Sequence, residues 1–188
     1  MEIGKTKYFD NREDWRNWLS ENYNKEPEIW LLYPNKALNK KRILYNDAVE
    51  EALCFGWIDS TLKKYDELFA AQRYTPRRKR SSYSQPNKER LKWLAEKGMI
   101  HPEILKIVEV EISKEFLFPE DIMKEIKANK EAWRFYQQQT DSYKRIRVAY
   151  IDDTRKRPDE FQKRLQNFIN KCAQNKLIKG YGGIEKYY

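Results

Sequence analysis

The sequence has few of the residues on which common metal and catalytic sites depend. Its 188 residues include one histidine, His101, and two cysteines, Cys54 and Cys172. A structural zinc ion needs about four Cys or His ligands, and a Ser-His-Asp triad needs an oriented histidine. We therefore expect no bound metal and no cofactor, and mechanisms that need two histidines are excluded. The residue counts leave open whether the protein is an enzyme.

Long apolar segments are also missing. The longest unbroken apolar run, Ile29–Tyr33, is far shorter than the ~20 residues of a membrane helix. The first residues, from Met1 to Lys7, lack the apolar stretch of a secretory signal peptide. We therefore expect no membrane span and a cytoplasmic location. In that compartment Cys54 and Cys172 are expected to be reduced core residues, although a disulfide between them stays open.

Acidic residues are too few to balance the basic ones. The 38 lysines and arginines exceed the 29 aspartates and glutamates, which gives a formal net charge of +9. This excess favours acidic partners, namely an anionic small molecule, a peptide carboxylate or, as the alternative, nucleic acid. Because 40% of the residues are hydrophobic and 14% are aromatic, the composition predicts a folded protein with its own core.

The N-terminal part begins with a helical pattern. Trp15, Trp18 and Leu19 are spaced by three and four positions, which puts them on one helix face. Asp10 or Asn11 has the side-chain chemistry to cap the start of that helix. The pattern therefore predicts an amphipathic first helix with an aromatic inner face.

Strand patterns follow this helix. Glu28–Tyr33 has the length and composition of a buried strand. Trp57–Tyr65 changes to a period of two, and Leu68–Thr75 follows after a short connection. The last two segments therefore predict an antiparallel hairpin. Strict alternation puts Leu62 on the face opposite Asp59.

The C-terminal part is helical in pattern from Pro119 onwards. Apolar residues at helical spacing predict four helices, the last of which begins at Pro158. We therefore predict an α+β fold: a domain over residues 1–115 with a small antiparallel sheet and flanking helices, followed by a C-terminal helical bundle over residues 116–188.

Two adjacent acidic pairs are candidates for acid-base chemistry. They are Glu50-Glu51 and Asp152-Asp153. Neighbouring side chains on a helix point apart, so neither pair can serve one substrate together. We predict that both pairs lie on solvated surfaces.

Three short motifs resemble those of a known family. They are Leu53–Ser60 (LCFGWIDS), Arg73–Arg78 (RYTPRR) and Ser82–Asn87 (SYSxxN). In this order and spacing they resemble the YdeI/OmpD-associated family, whose members are labelled bacteriocin-protection proteins. The resemblance spans about Tyr8 to Ile100 and extends less fully into the helical half. It implies a link to survival of antimicrobial peptides, and it carries no established reaction and no catalytic residues.

The predicted hairpin brings the residues after one helix near the end of the next strand. Trp57 and Asp59 begin the first strand and Arg77 follows the second, so their side chains can line one pocket. Arginine binds carboxylate or phosphate bidentately, and the free N–H groups of a helix beginning after Ser84 attract anions. We therefore predict an anion-binding pocket. The candidate ligand-binding residues are Trp57, Asp59, Ser60, Thr75, Arg77, Arg78, Ser82, Ser84 and Asn87.

Structural roles are the alternative for each of these residues, since Asp59 can neutralise Arg77 and Trp57 can belong to the core. The leading functional hypothesis is a non-enzymatic binding or stress-protection role. One rival is a small-molecule enzyme in which Asp59 is the candidate catalytic acid or base and Arg77 stabilises negative charge. The other rival is nucleic-acid binding through the basic runs Lys144–Arg147 and Arg155–Arg157.

Overall fold

The computed structural model describes residues 2–78 and 81–179. The chain divides into two compact units. The first comprises Met1–Tyr83 and Leu91–Ile112, and the second comprises Ser84–Arg90 and Ser113–Tyr188. The predicted α+β class is confirmed, because a four-stranded sheet and helices make up the described structure.

The first unit contains the sheet. Its elements are β1 (Thr6–Lys7), α1 (Arg12–Asn22), β2 (Ile29–Pro34), a 3-10 turn (Lys36–Leu38), α2 (Tyr45–Cys54), β3 (Trp57–Lys64), β4 (Phe69–Pro76), the last part of α3 (Gln85–Glu96) and α4 (Pro102–Ile112). The strand order is β1-β2-β4-β3. Strands β2, β4 and β3 are antiparallel as predicted, and the two-residue β1 adds a parallel edge that makes the sheet mixed.

The hairpin of β3 and β4 is confirmed, and it contains one irregularity. Asp59 lies opposite Tyr74, whereas Leu62 lies opposite Gln72. Strand β3 therefore uses three steps where β4 uses two, which is the count of a β-bulge. The extra residue moves Leu62 to the face of Asp59. The predicted placement on the opposite face was wrong, because strict alternation holds only without a bulge.

Aromatic side chains form the centre of the first core. The rings of Trp15 and Trp18 stack at 5.3 Å, and Trp57 meets Trp18 edge to face at 5.9 Å. Of the two predicted caps, Asp10 and Asn11, the structure shows Asn11, whose side chain accepts a hydrogen bond from the backbone N–H of Asp14 at 2.9 Å. The capping and the aromatic face together orient α1 on the core.

A buried ion cluster joins α1 to α2. Glu50 and Glu51 are both fully buried, so the prediction of a solvated surface was wrong for this pair. Arg12 donates to Glu50 at 2.9 Å and also to Glu51, and Arg16 donates to Glu51 at 2.6 Å. The neighbouring carboxylates converge on the guanidinium of Arg12, contrary to the prediction that they point apart, and Arg12 and Arg16 together replace water around them. This neutralisation is what makes their burial possible.

The second unit is a bundle of helices, as predicted. Its elements are the start of α3, then α5 (Glu120–Ala128), α6 (Lys130–Gln137), α7 (Asp141–Asp152) and α8 (Pro158–Ala173). Ile122, Ile126 and Phe168 are buried in its core, where the rings of Tyr136 and Phe168 meet edge to face at 6.1 Å. Within residues 2–78 and 81–179, no helix combines the length and the apolar character needed to cross a bilayer.

Candidate functional site

The hairpin brings several predicted residues to one end of β3 and β4, but they divide between two cavities. Asp59 and Ser60 line a cavity of about 530 Å³, which we call the Asp59 cavity. Arg77 and Arg78 line another of about 310 Å³, which we call the Arg77 cavity. Both belong to the first unit. The expected single hollow around a carboxylate and two guanidinium groups is therefore two separate hollows in the structure.

The lining of the Asp59 cavity includes a hydrogen-bonded pair, Tyr45 and Asp59, and the buried phenol of Tyr33. The hydroxyl of Tyr45 donates to Oδ2 of Asp59 at 2.7 Å. The buried hydroxyl of Tyr33 lies 3.4 Å from that of Tyr74. Burial raises the pKa of Tyr33 to about 12, so this phenol is neutral at physiological pH. The remaining lining residues are Arg42, Leu44, Ser60, Leu62, Ala70 and Gln72.

Arg42 gives the Asp59 cavity a second charge, of opposite sign. Its Nη1 donates to the carbonyl of Pro34 at 3.3 Å, and its guanidinium lies 5.9 Å from the ring centre of Tyr33. Leu44 and Leu62 are 66% and 63% exposed beside these polar groups. The cavity therefore offers a carboxylate, a guanidinium, the neutral phenol of Tyr33 and apolar surface to one small molecule.

Most residues of the Asp59 cavity were not predicted from the sequence. Tyr33, Arg42, Tyr45 and Gln72 come from a strand, a loop, a helix start and a second strand, and no motif joins them. One signal was present, because Gln72 directly follows the apolar residues Phe69–Ala71 of β4; in the structure its side chain is 5% exposed. Buried polar side chains are more informative than exposed ones.

The Arg77 cavity is organised around one fixed guanidinium. The Nη2 of Arg77 donates to the hydroxyl of Ser81 at 3.1 Å and to the carbonyl of Ser82 at 2.8 Å. The same guanidinium stacks on the ring of Tyr83 at 3.8 Å. The cavity is also lined by Arg78 and by a carboxylate, and its other lining residues are Gly56, Ile104, Ile107 and Glu111.

Three predicted residues of the first unit, Trp57, Thr75 and Ser82, are not among the residues that line either cavity. Trp57 is fully buried, and its indole Nε1 donates to the carbonyl of Tyr23 at 2.9 Å. Thr75 lies in the ladder opposite Ile58 and is half-buried. The structure therefore gives Trp57 a role in the core.

Two further predicted residues belong to the second unit. Ser84 directly precedes α3, and its carbonyl accepts a hydrogen bond from the backbone N–H of Lys88 at 3.0 Å. Asn87 accepts a hydrogen bond from Nη1 of Arg90 at 2.9 Å. Both residues are thus engaged at the start of α3.

The basic runs of the second unit contain arginines that pair within that unit. Arg145 binds both oxygens of Glu89, at 2.7 and 2.8 Å. Arg155 binds both oxygens of Asp121, each at 2.8 Å. In the described part of the chain, no cluster of three or more metal-ligating side chains is present.

Comparisons with known families match both parts of the chain. Residues 7–107 match the model of a domain of unknown function, DUF8412. Residues 115–175 match the model described as "Bacteriocin-protection, YdeI or OmpD-Associated". Searches among curated proteins and among solved structures found no significant match.

The second match confirms the resemblance inferred from the motifs and supports a bacteriocin-protection-like role. Its location differs from that expected, since it covers the helical region, whereas the quoted motifs lie mainly in the segment of the other family. The chain belongs to the DUF8412 family through residues 7–107, and its residues 115–175 are similar to the YdeI/OmpD-associated, bacteriocin-protection family.

Proposed function

We propose that the protein binds a small organic molecule in the Asp59 cavity without converting it, as part of a bacteriocin-protection-like role. The observation that carries this proposal is that Asp59 and Arg42, which carry opposite charges, line the same cavity of about 530 Å³. This volume lies within the range of known small-molecule sites, which combine apolar walls with a few placed polar groups.

The lining determines the class of ligand. A guanidinium recognises a carboxylate or phosphate, so Arg42 would bind the anionic group of the ligand. The carboxylate of Asp59 accepts hydrogen bonds and favours an ammonium or hydroxyl donor. Leu44 and Leu62 favour an apolar body between the two ends. These three requirements describe a peptide carboxylate: an apolar amino acid or a short apolar peptide with free termini.

Thermal-shift assays with alanyl-leucine test this chemistry. The dipeptide should raise the melting temperature of the wild type and of Arg134→Gln, an exposed arginine of the second unit that serves as the control. It should have little effect on Arg42→Gln. At a ligand concentration 100 times Kd, the stabilisation is about 2.7 kcal/mol. N-acetylation of the dipeptide should remove its interaction with Asp59, and C-terminal amidation should remove its interaction with Arg42, so each modification should reduce the thermal shift of the wild type.

The Arg77 cavity is the second candidate, and the fixed guanidinium favours it. Three acceptors, on Ser81 and Ser82, hold Arg77 in place. A preorganised cation binds an anion with less loss of side-chain freedom. If Arg77→Gln abolishes the thermal shift and Arg42→Gln keeps it, the ligand binds in the Arg77 cavity. A panel of carboxylates and phosphates that discriminates neither variant from the wild type would overturn both candidates.

The enzymatic alternative assigns Asp59 the role of general acid or base. Because Arg77 lines the other cavity, Arg42 is the guanidinium that shares a cavity with this carboxylate. Turnover of a bound compound that disappears in Asp59→Asn, while the affinity persists, would contradict the non-enzymatic proposal.

A further inference from the structure

The second unit contains a cavity of its own with a strong excess of positive charge. It lies between α7 and α8 and has a volume of about 270 Å³; we call it the α7–α8 cavity. Its basic lining residues are Arg147, Lys163, Arg164 and Lys179, and its acidic lining residue is Glu160. The lining therefore carries three more positive than negative charges. All of these residues belong to one compact unit.

Both arginines of this cavity are held in place by the protein. Arg147 is 2% exposed, and its Nη2 donates to the carbonyl of Ile178 at 2.6 Å. Arg164 donates from Nη1 to the carbonyl of Tyr150 at 2.7 Å and stacks on the ring of that tyrosine at 3.7 Å. Fixed guanidinium groups lose little freedom when they bind an anion.

The single carboxylate of the cavity is already paired. Nε of Arg164 donates to Glu160 at 2.9 Å, and this hydrogen bond lowers the pKa of Glu160. The carboxylate and one guanidinium thus neutralise each other. Arg147 and the exposed lysines Lys163 and Lys179 supply the charge excess. Burial of a cation in the wall of a cavity strengthens its attraction for an anion, because solvent screens it less.

We propose that the α7–α8 cavity binds the phosphate group of a small phosphomonoester. A phosphate dianion matches a charge excess of three better than a monocarboxylate does, and it offers several acceptor oxygens to guanidinium and ammonium donors. The volume lies just below the ~300 Å³ at which small-molecule sites begin, so the ligand has few atoms beyond its phosphate. This site is independent of the Asp59 cavity and of the function proposed for it.

Calorimetric titration with inorganic phosphate, at constant ionic strength set by sodium chloride, tests the proposal. The wild-type protein should bind phosphate saturably. The variants Lys163→Gln and Lys179→Gln should each weaken phosphate binding by about tenfold, since a hydrogen bond to a charged group contributes about 1.5 kcal/mol or more. Both lysines are exposed, so these variants should keep the fold, which circular dichroism verifies.

Lys156→Gln is the matched control, because Lys156 is exposed in the same unit and is not among the lining residues. It should bind phosphate as the wild type does. Equal weakening in all three variants would show attraction to the overall charge only and would overturn the site. Absence of phosphate binding, or tighter binding of malonate than of phosphate, would overturn the proposed ligand class. Arg42→Gln should leave phosphate binding unchanged, which separates this result from the test of the Asp59 cavity.

Discussion

Replacing Glu51 by glutamine removes the central charge of the ion cluster between α1 and α2. The side chain of Glu51 is fully buried and accepts hydrogen bonds from both Arg12 and Arg16. Glutamine keeps the shape but turns an amide donor towards guanidinium donors. Burial alone would lower the pKa of Arg12, but its contacts with Glu51 and Glu50 outweigh this effect, and the pKa of Arg12 is raised. The charged form of Arg12 therefore depends on these two carboxylates.

The expected cost of Glu51→Gln follows from this geometry. Breaking a buried ion pair costs about 3–5 kcal/mol. The side chains of Arg12 and Arg16 remain 27% and 35% exposed, so water can partly compensate them. We therefore expect the free energy of unfolding to fall by about 3 kcal/mol, at the lower end of that range.

Urea unfolding followed by circular dichroism measures this loss. Glu67→Gln is the control, because Glu67 pairs with Lys64 while 86% of its side chain is exposed. Exposed pairs contribute little, so this variant should change the free energy of unfolding by less than about 0.5 kcal/mol. If Glu51→Gln behaves like Glu67→Gln, the argument that the buried cluster stabilises the packing of α1 on α2 is refuted.

Three further predictions concern other parts of the chain. Trp57→Phe should lower the free energy of unfolding by about 2 kcal/mol, through lost volume and the lost indole hydrogen bond; weaker dipeptide binding at unchanged stability would contradict its core role. Burial raises the pKa of Cys54 and of Cys172 to about 12, so a thiol reagent should label neither in the native protein and both after unfolding. Rapid native labelling would contradict their burial. The hydrogen bonds from Arg155 hold the pKa of Asp121 at about 2, below about 3.9 in the unfolded chain. Their stabilisation is therefore present above about pH 4 and is lost as the pH falls towards about 2, and Asp121→Asn should lose less stability than the wild type over that interval.

Features that depend on neighbouring residues were predictable from the sequence. The three- and four-residue spacing of Trp15, Trp18 and Leu19 identifies the inner face of α1, and Asn11 caps it as expected. The β3–β4 hairpin follows from a period of two on both sides of a short connection. In each case the signal is local, because helix and strand periods are properties of a single segment.

Features that depend on distant segments were not predictable in this way. The burial of Glu51 requires two arginines from another helix, Arg12 and Arg16, which lie 39 and 35 positions before it in the sequence. The position of Leu62 requires a bulge, which adds one residue without a sequence signal. The Asp59 cavity combines Arg42 and Tyr45 with residues of three strands, and this arrangement depends on the pairing of β2 with β4. Apolar patterns specify which side chains are buried, whereas a site also requires the register between elements.

Mapping of alanyl-leucine binding by amide chemical shifts tests the central claim most directly. Saturable shifts at Tyr45, Asp59 and Gln72, which are lost in Arg42→Gln, are the predicted result. Shifts confined to Arg77 and Tyr83, or none at all at saturating dipeptide, would contradict the assignment of the Asp59 cavity as the binding site.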